Sequence, residues 1–291
     1  MSWKLFGING IFVAFFSLLV VFLQAEKAQA NLLSLSKAAP QPTVLSQSDI
    51  GDCACGPCAV FNAFQFGNAT LNYLAAALPG DAPADKVRSL IMMYGGKPSL
   101  VSRREPRYLA SGGMWEDDLA PFINDWLKNS HAAPVTGDRL ILQGNETGRE
   151  YLERVYNELN HSLAAGFPPV VNLQSYTARK NFFHHYWKWL DGHFVTVVAV
   201  QGNLPHNATQ FSMSVADSET GRILRVIVNA GAGSSLATSG KQVKRSGKMT
   251  ISQSRDNPYL MIQSPRLENM LEGSAAKSQP TICVIEYIAH R

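Results

Sequence analysis

Asp191-Gly-His-Phe-Val-Thr-Val-Val-Ala-Val200 is the stretch on which the reading of this 291-residue chain turns. From Phe194 onward it is β-branched and apolar almost without a break, the composition of a strand buried in a sheet. Pro169–Leu173, Phe211–Ala216, Ile223–Val228 and Thr281–Ile288 are further short runs of the same character. Asn207-Ala-Thr209 and Glu219-Thr-Gly221 fall between neighbouring runs and read as hairpin connections. Upstream the periodicity is helical. Gly56–Phe66, Asn68–Ala77, Asp85–Met93, Glu116–Lys128 and Thr147–Ala165 are the expected helices, the last with Leu152, Val155, Leu159 and Leu163 on one face. Helices first and antiparallel strands afterwards predict an α+β class, with N-terminal helices packed against an antiparallel sheet.

The ends of the chain carry other signals. Lys4 precedes a thirteen-residue apolar run, Ile11–Leu23, and Ala28-Gln-Ala30 offers small residues at −3 and −1 of a cleavage site. The run is short for a bilayer, which needs roughly 20 residues, so residues 1–30 are expected to be a cleaved secretory signal. An uncleaved anchor is the alternative, because Glu26 and Lys27 charge the end of the segment. Residues 31–46 are expected to be a lead-in, and 47–291 one domain with an excursion at about 230–279, where Gly, Ser and Lys accumulate. The expected location is secreted or periplasmic, with membrane contact only if the N-terminal segment stays uncleaved. A formal net charge of +4 is too small to argue for a nucleic-acid partner.

Three of the four cysteines, Cys53, Cys55 and Cys58, fall within six residues, and Cys283 lies near the other end. That clustering indicates local chemistry rather than a disulfide framework. Cys55-Gly-Pro opens the first helix. Helix N-terminal N–H groups and the positive end of the dipole favour thiolate over thiol there. The small Gly56 lets a substrate approach, and Pro57 fixes the first turn without removing a needed donor. A thiolate needs a base that is distant in sequence and near in space. His193 stands at the mouth of the strongest strand, where its imidazole is held rigidly. The following strand runs back and ends at Asp217, so an antiparallel pair returns that carboxylate to the end where His193 sits. There it can accept the second ring N–H and fix the tautomer. Gln47, upstream, is a candidate side-chain donor to an oxyanion.

Taken together, Cys-Gly-Pro at the head of a buried helix with an upstream Gln, Gly-His-Phe-Val-Thr-Val-Val on a strand, and an Asp ending the next strand resemble the papain-like cysteine peptidases. The closest resemblance is to the double-glycine leader peptidases of bacteriocin export. It rests on three short blocks between Gln47 and about Gly221. It implies a papain-like cysteine peptidase fold and a thiol protease acting on peptide or amide bonds through a thioester. In that scheme Cys55 is nucleophile, His193 general base and acid, Asp217 orienter and Gln47 oxyanion donor. It implies a peptide or protein substrate, no cofactor and no metal. The nucleophile stays open among three cysteines. Cys-Gly-Pro favours Cys55, the position of Gln47 six residues upstream favours Cys53, and an alignment through Cys-Gly-Pro-Cys-Ala-Val-Phe favours Cys58. Acyl transfer of the phytochelatin-synthase kind, and an inactive peptide-binding module, are the rival functions.

Two other chemistries compete for the same residues. Cys55-Gly-Pro-Cys58 is a Cys-x-x-Cys unit, but the preceding Gln47–Asp52 is polar, whereas a thioredoxin-like motif follows a buried strand. A structural zinc site wants four ligands, and the sequence offers neither a second Cys-x-x-Cys nor a His pair at ligand spacing. The aromatic segment Phe182-Phe-His-His-Tyr-Trp-Lys-Trp189 is expected to be a loop walling a cleft before His193, or else core packing. Cys283, on the presumed last strand, is a possible disulfide partner for Cys53 or Cys58.

Overall fold

A computed structural model describes residues 42–128, 130–143, 145–180, 185–230, 236–238, 241–243, 249–251, 255–257, 260–267 and 281–291. The expected signal segment, and most of the lead-in that follows it, lie outside the described residues. Five α-helices are present among the described residues: α1 (Cys55–Gln65), α2 (Ala69–Ala76), α3 (Pro83–Leu90), α4 (Glu116–Leu127) and α5 (Gly148–Ala164). None is long and apolar enough to cross a membrane.

Their ends follow from local chemistry. Asn68 caps α2 through its side-chain oxygen, which accepts from Leu71 N at 3.2 Å. Thr147 and Glu150 form a reciprocal capping box at the start of α5. Pro83 opens α3, where its missing N–H costs nothing. α1 is buried along most of its length, and Phe64 stacks on Trp126 of α4 with ring centroids 3.7 Å apart.

Strands dominate the remainder. After two short pairs of residues, β1 (Tyr108–Leu109) and β2 (Gly113–Met114), come β3 (Thr136–Arg139), β4 (Val170–Lys180), β5 (His185–Val200), β6 (Gln210–Asp217) and β7 (Arg222–Ala230). Four three-residue strands follow: β8 (Leu236–Thr238), β9 (Lys241–Val243), β10 (Met249–Ile251) and β11 (Arg255–Asn257). The last two are β12 (Leu260–Gln263) and β13 (Thr281–His290). The main sheet runs β12-β7-β6-β5-β4-β13-β3, antiparallel throughout, and β12 also pairs with β13. That extra pairing, Leu260 with Ile285 and Met261 with Val284, closes six strands into a barrel. β3 pairs with the C-terminal half of β13 and stands outside the ring.

The α+β expectation, and with it the papain-like fold, is therefore overturned: the chain is mostly antiparallel sheet built on a closed six-stranded β-barrel. Two physical causes account for the difference. Leu260-Met-Ile-Gln263, inside the stretch expected to be an excursion, supplies the closing strand, and its pairing is non-local on both sides. The expected aromatic loop is instead strand from His185 onward, and Trp189 pairs with Tyr176 across β4 and β5. Phe182 to His184 lie outside the described residues.

Alternation along the strands divides the apolar residues between two clusters. Val171, Leu173, Val195, Val197, Phe211, Val215, Val228, Ile262 and Ile285 share one with Tyr151, Leu152, Val155 and Leu159 of α5. Val170, Phe194, Tyr287 and Ala289 face the other way and pack with α1 to α4. Closure by β12 makes a testable statement. Leu260 is fully buried in the first cluster, so Leu260→Ala is expected to lower unfolding stability by about 2–5 kcal/mol in urea titration. A loss below about 0.5 kcal/mol, the scale of an ordinary surface substitution, would show that β12 does not belong to the barrel.

Candidate active site

Helix α1 starts at Cys55 itself, after an Ala54 cap that offers no side-chain acceptor. The N–H groups of Cys55 and Gly56 have no intrahelical partner at that position, and Pro57 brings none. Gly56 is close-packed. A Cβ there would stand 3.3 Å from Met114 Cβ and 3.5 Å from Phe194 Cδ2. The helix head is thus pressed against β2 and β5. The Thr196 hydroxyl, one turn of the pleat beyond Phe194, donates to Ala59 O at 2.6 Å and ties β5 to α1 inside the protein.

That docking brings His193 to Cys55. His193 is buried, and its Nε2 lies 2.6 Å from Asp217 Oδ1. Cys55 lies close enough to the same ring to interact with it, and with Nε2 turned to Asp217 the nitrogen left for the sulfur is Nδ1. Asp217 pairs with Val195 across β5 and β6, two residues from His193, so the antiparallel return expected from the sequence delivers the carboxylate to the imidazole. Asp217 is fully buried and well supplied with donors. Oδ1 accepts from Glu219 N at 3.1 Å, and Oδ2 accepts from Thr220 N at 3.0 Å and from the Thr220 hydroxyl at 2.6 Å.

No family model, no curated protein and no solved structure matches this chain.

Burial works against a charge on His193, yet its hydrogen bonds to Asp217 and Cys55 hold its pKa up at about 10. Burial likewise opposes charge on Asp217, but the bond from His193, the Thr220 hydroxyl and the Glu219 N–H keep its carboxyl below the usual range. Both shifts favour the imidazolium–carboxylate form of the pair.

The other cysteines are placed differently. Cys58 is fully buried in the helix-side cluster, and burial, with Cys55 beside it, pushes its thiol far up. Cys53 is half-buried, and its carbonyl lies 3.1 Å from where a Cβ on Gly113 would stand. Cys283 is buried in the barrel cluster, on the opposite face of the sheet from Cys58. That separation removes a Cys58–Cys283 disulfide. Of the three clustered cysteines, Cys55 is the one in contact with His193.

Gln47 lies on a 3-10 turn, Gln47–Asp49, and its backbone N–H donates to Ser218 O at 2.7 Å. Its side-chain nitrogen donates to Asp52 O at 3.1 Å and to the Glu219 carboxylate. Both amide hydrogens are thereby occupied, and Oε1 is buried without a partner. In this arrangement Gln47 joins the turn that holds Asp217 and presents no donor to an oxyanion. The donors available at the sulfur are the backbone N–H groups at the head of α1.

Thr220 and Glu219 were not expected. The signal was there in Asp217-Ser-Glu-Thr220, the spacing at which an Asp side chain caps the turn that follows it. A second unanticipated feature lies on β4 and β5. Trp189, partly exposed, donates its indole N–H to Gln174, whose amide nitrogen donates to Asn172. A Cβ on Gly192 would come within 2.9 Å of both Gln174 amide atoms, so a side chain beside His193 would displace that amide. Among the described residues, no group of three or more His, Cys, Asp or Glu is arranged to hold a metal ion.

Proposed function

We propose that the chain is a cysteine-nucleophile hydrolase of peptide or amide bonds. The observation that carries the reading is the imidazole of His193 held between the Cys55 thiol and the buried Asp217 carboxylate. A His fixed by a carboxylate on one nitrogen can serve only one group with the other, and here that group is a sulfur at a helix N-terminus. Cys55 attacks the carbonyl carbon as thiolate. The oxygen, now negative, meets the N–H groups of Cys55 and Gly56 at the positive end of α1. His193 gives its proton to the leaving amine, and the thioester remains on Cys55. Water, deprotonated by His193, attacks the thioester and frees the acid and the thiol. Asp217 keeps the ring in one tautomer throughout. The chain order of nucleophile, base and orienter agrees with the leader-peptidase resemblance, a likeness of site and not of fold.

The test is trapping of the acyl-enzyme. Full-length protein is incubated with a panel of peptide thioesters and amides, quenched in acid and mapped by mass spectrometry. An acyl group on Cys55, absent from Cys55→Ala, is the expected result. An acyl group on Cys53 or Cys58 would overturn the residue assignment. No adduct with any peptide, together with an inert thiol, would leave a peptide-binding module instead of an enzyme.

A further inference from the structure

Cys55 and Cys58 occupy the first turn of α1, and the mechanism uses one of them. Helix geometry separates their Cα atoms by about 5 Å, inside the roughly 4.4–6.8 Å range from which a disulfide can close. The turn between them is lightly held. Ala54 offers no side-chain cap, Pro57 has no N–H, and Cys58 N→Ala54 O at 3.0 Å closes the turn. The exposures are complementary. Cys55 is half-buried beside His193, while Cys58 is sealed in the helix-side core. A solvent oxidant can reach the first, and the second can be reached only from within the protein.

We infer that Cys55 and Cys58 form an oxidation site, in which a hydroperoxide oxidises Cys55 and Cys58 resolves it as an intrahelical disulfide. The Cys55 thiolate attacks the distal peroxide oxygen, the O–O bond breaks, and the alkoxide or hydroxide leaves to take a proton as alcohol or water. Cys55 is then a sulfenic acid. The Cys58 sulfur attacks the Cys55 sulfur, the S–O bond breaks, and hydroxide leaves with the Cys58 proton as water. Two thiols lose two electrons to one hydroperoxide. The nucleophile is blocked but saved from irreversible sulfinic acid, and a dithiol restores it by exchange. Cys53 precedes the helix, with its carbonyl against Gly113 of β2.

The inference rests on the reading of Cys55 as the reactive thiol, but its test does not require amide hydrolysis. Full-length wild-type, Cys53→Ala and Cys58→Ala proteins are treated with hydrogen peroxide, then assayed for alkylation by iodoacetamide and mapped by mass spectrometry. Wild type and Cys53→Ala are expected to lose two hydrogens across the cysteine-bearing peptide. Alkylation of both, read after unfolding in urea so that the sealed Cys58 is accessible, should fall by about tenfold or more, and dithiothreitol should restore it. Cys58→Ala is expected to acquire two or three oxygens instead, as sulfinic or sulfonic acid, and to stay blocked after dithiothreitol. Cys58→Val, which keeps an apolar side chain in the core, repeats the measurement should the alanine variant fold poorly. A disulfide that survives in Cys58→Ala and disappears in Cys53→Ala would overturn the pairing. Oxygen addition without a disulfide in wild type would overturn the site. A disulfide in a protein that hydrolyses no amide would remove the hydrolase reading and leave the oxidation site standing.

Discussion

Replacing His193 with alanine is expected to slow peptide turnover by about 10²–10⁴-fold, the range usual for loss of a positioned acid–base group. The same variant should change the pH dependence of Cys55 alkylation. In the wild type the imidazolium beside sulfur persists through neutral pH, because its pKa is held at about 10. The cation beside sulfur should therefore speed alkylation most at the low end of the range from about pH 6 to pH 9, over which an ordinary imidazole at about 6.5 loses its proton. Without the ring the rate should climb with pH across that interval, as it does for an unassisted thiol. The side chain is nearly enclosed, so a melt recorded alongside separates lost chemistry from lost fold. Equal pH profiles in a folded variant would show that His193 does not act on Cys55.

Much of this site was legible in the sequence because it depends on local rules. A cysteine followed by Gly-Pro at a helix head, and a histidine at the start of an unbroken β-branched run, are positions that propensity and period can locate. The return of Asp217 needed one inference beyond that, the antiparallel hairpin, and Val195 does pair with Asp217. The centres of α1 to α5 and of β6, β7 and β13, and one end each of β4 and β5, follow from the same periodicities.

The rest depended on non-local partners. Leu260-Met-Ile-Gln263 is too short to stand out within a Gly-, Ser- and Lys-rich stretch. It becomes a strand because β7 and β13 each offer it an edge. Ring closure is a property of that double pairing, and it changes the fold class. Gln47 misled for a related reason. An amide eight residues before a cysteine is free in the sequence, but a carboxylate 172 residues downstream occupies it in the folded chain.

Asp217→Asn should be the more informative variant, since it removes one charge without changing shape. The wild-type carboxylate accepts four hydrogen bonds, two at each oxygen, if His193 Nε2 is counted as donor. An asparagine amide cannot do this in either orientation. With nitrogen toward His193 it donates to Nε2, drives the ring proton onto Nδ1, and sets a donor against the Glu219 N–H. Nδ1 then faces Cys55 already protonated, with no lone pair to receive the thiol proton. With nitrogen toward Thr220 it opposes a second backbone N–H. Both arrangements bury a donor against a donor, at a cost on the order of 3–5 kcal/mol at neutral pH, and turnover should fall about 10²-fold or more.

Linkage gives the variant a signature that a general loss of packing lacks. His193 has a raised pKa in the folded protein, so its contribution to stability is complete below about 6.5. It declines as pH rises from there and is gone above about 10. The depressed Asp217 contributes stability above its ordinary value near 4 and loses it as pH falls through the folded value. Wild-type stability should therefore decline from pH 6.5 toward 10. In Asp217→Asn the ring keeps its burial and loses its counter-charge, so that slope should flatten or reverse sign. Urea titrations of both proteins at pH 6, 8 and 9.5 measure the difference directly, because groups shared by the two proteins cancel. Parallel slopes would mean that the buried contact between His193 and Asp217 carries no ion pair, and the thiolate would then lack the cation on which its reactivity at neutral pH depends.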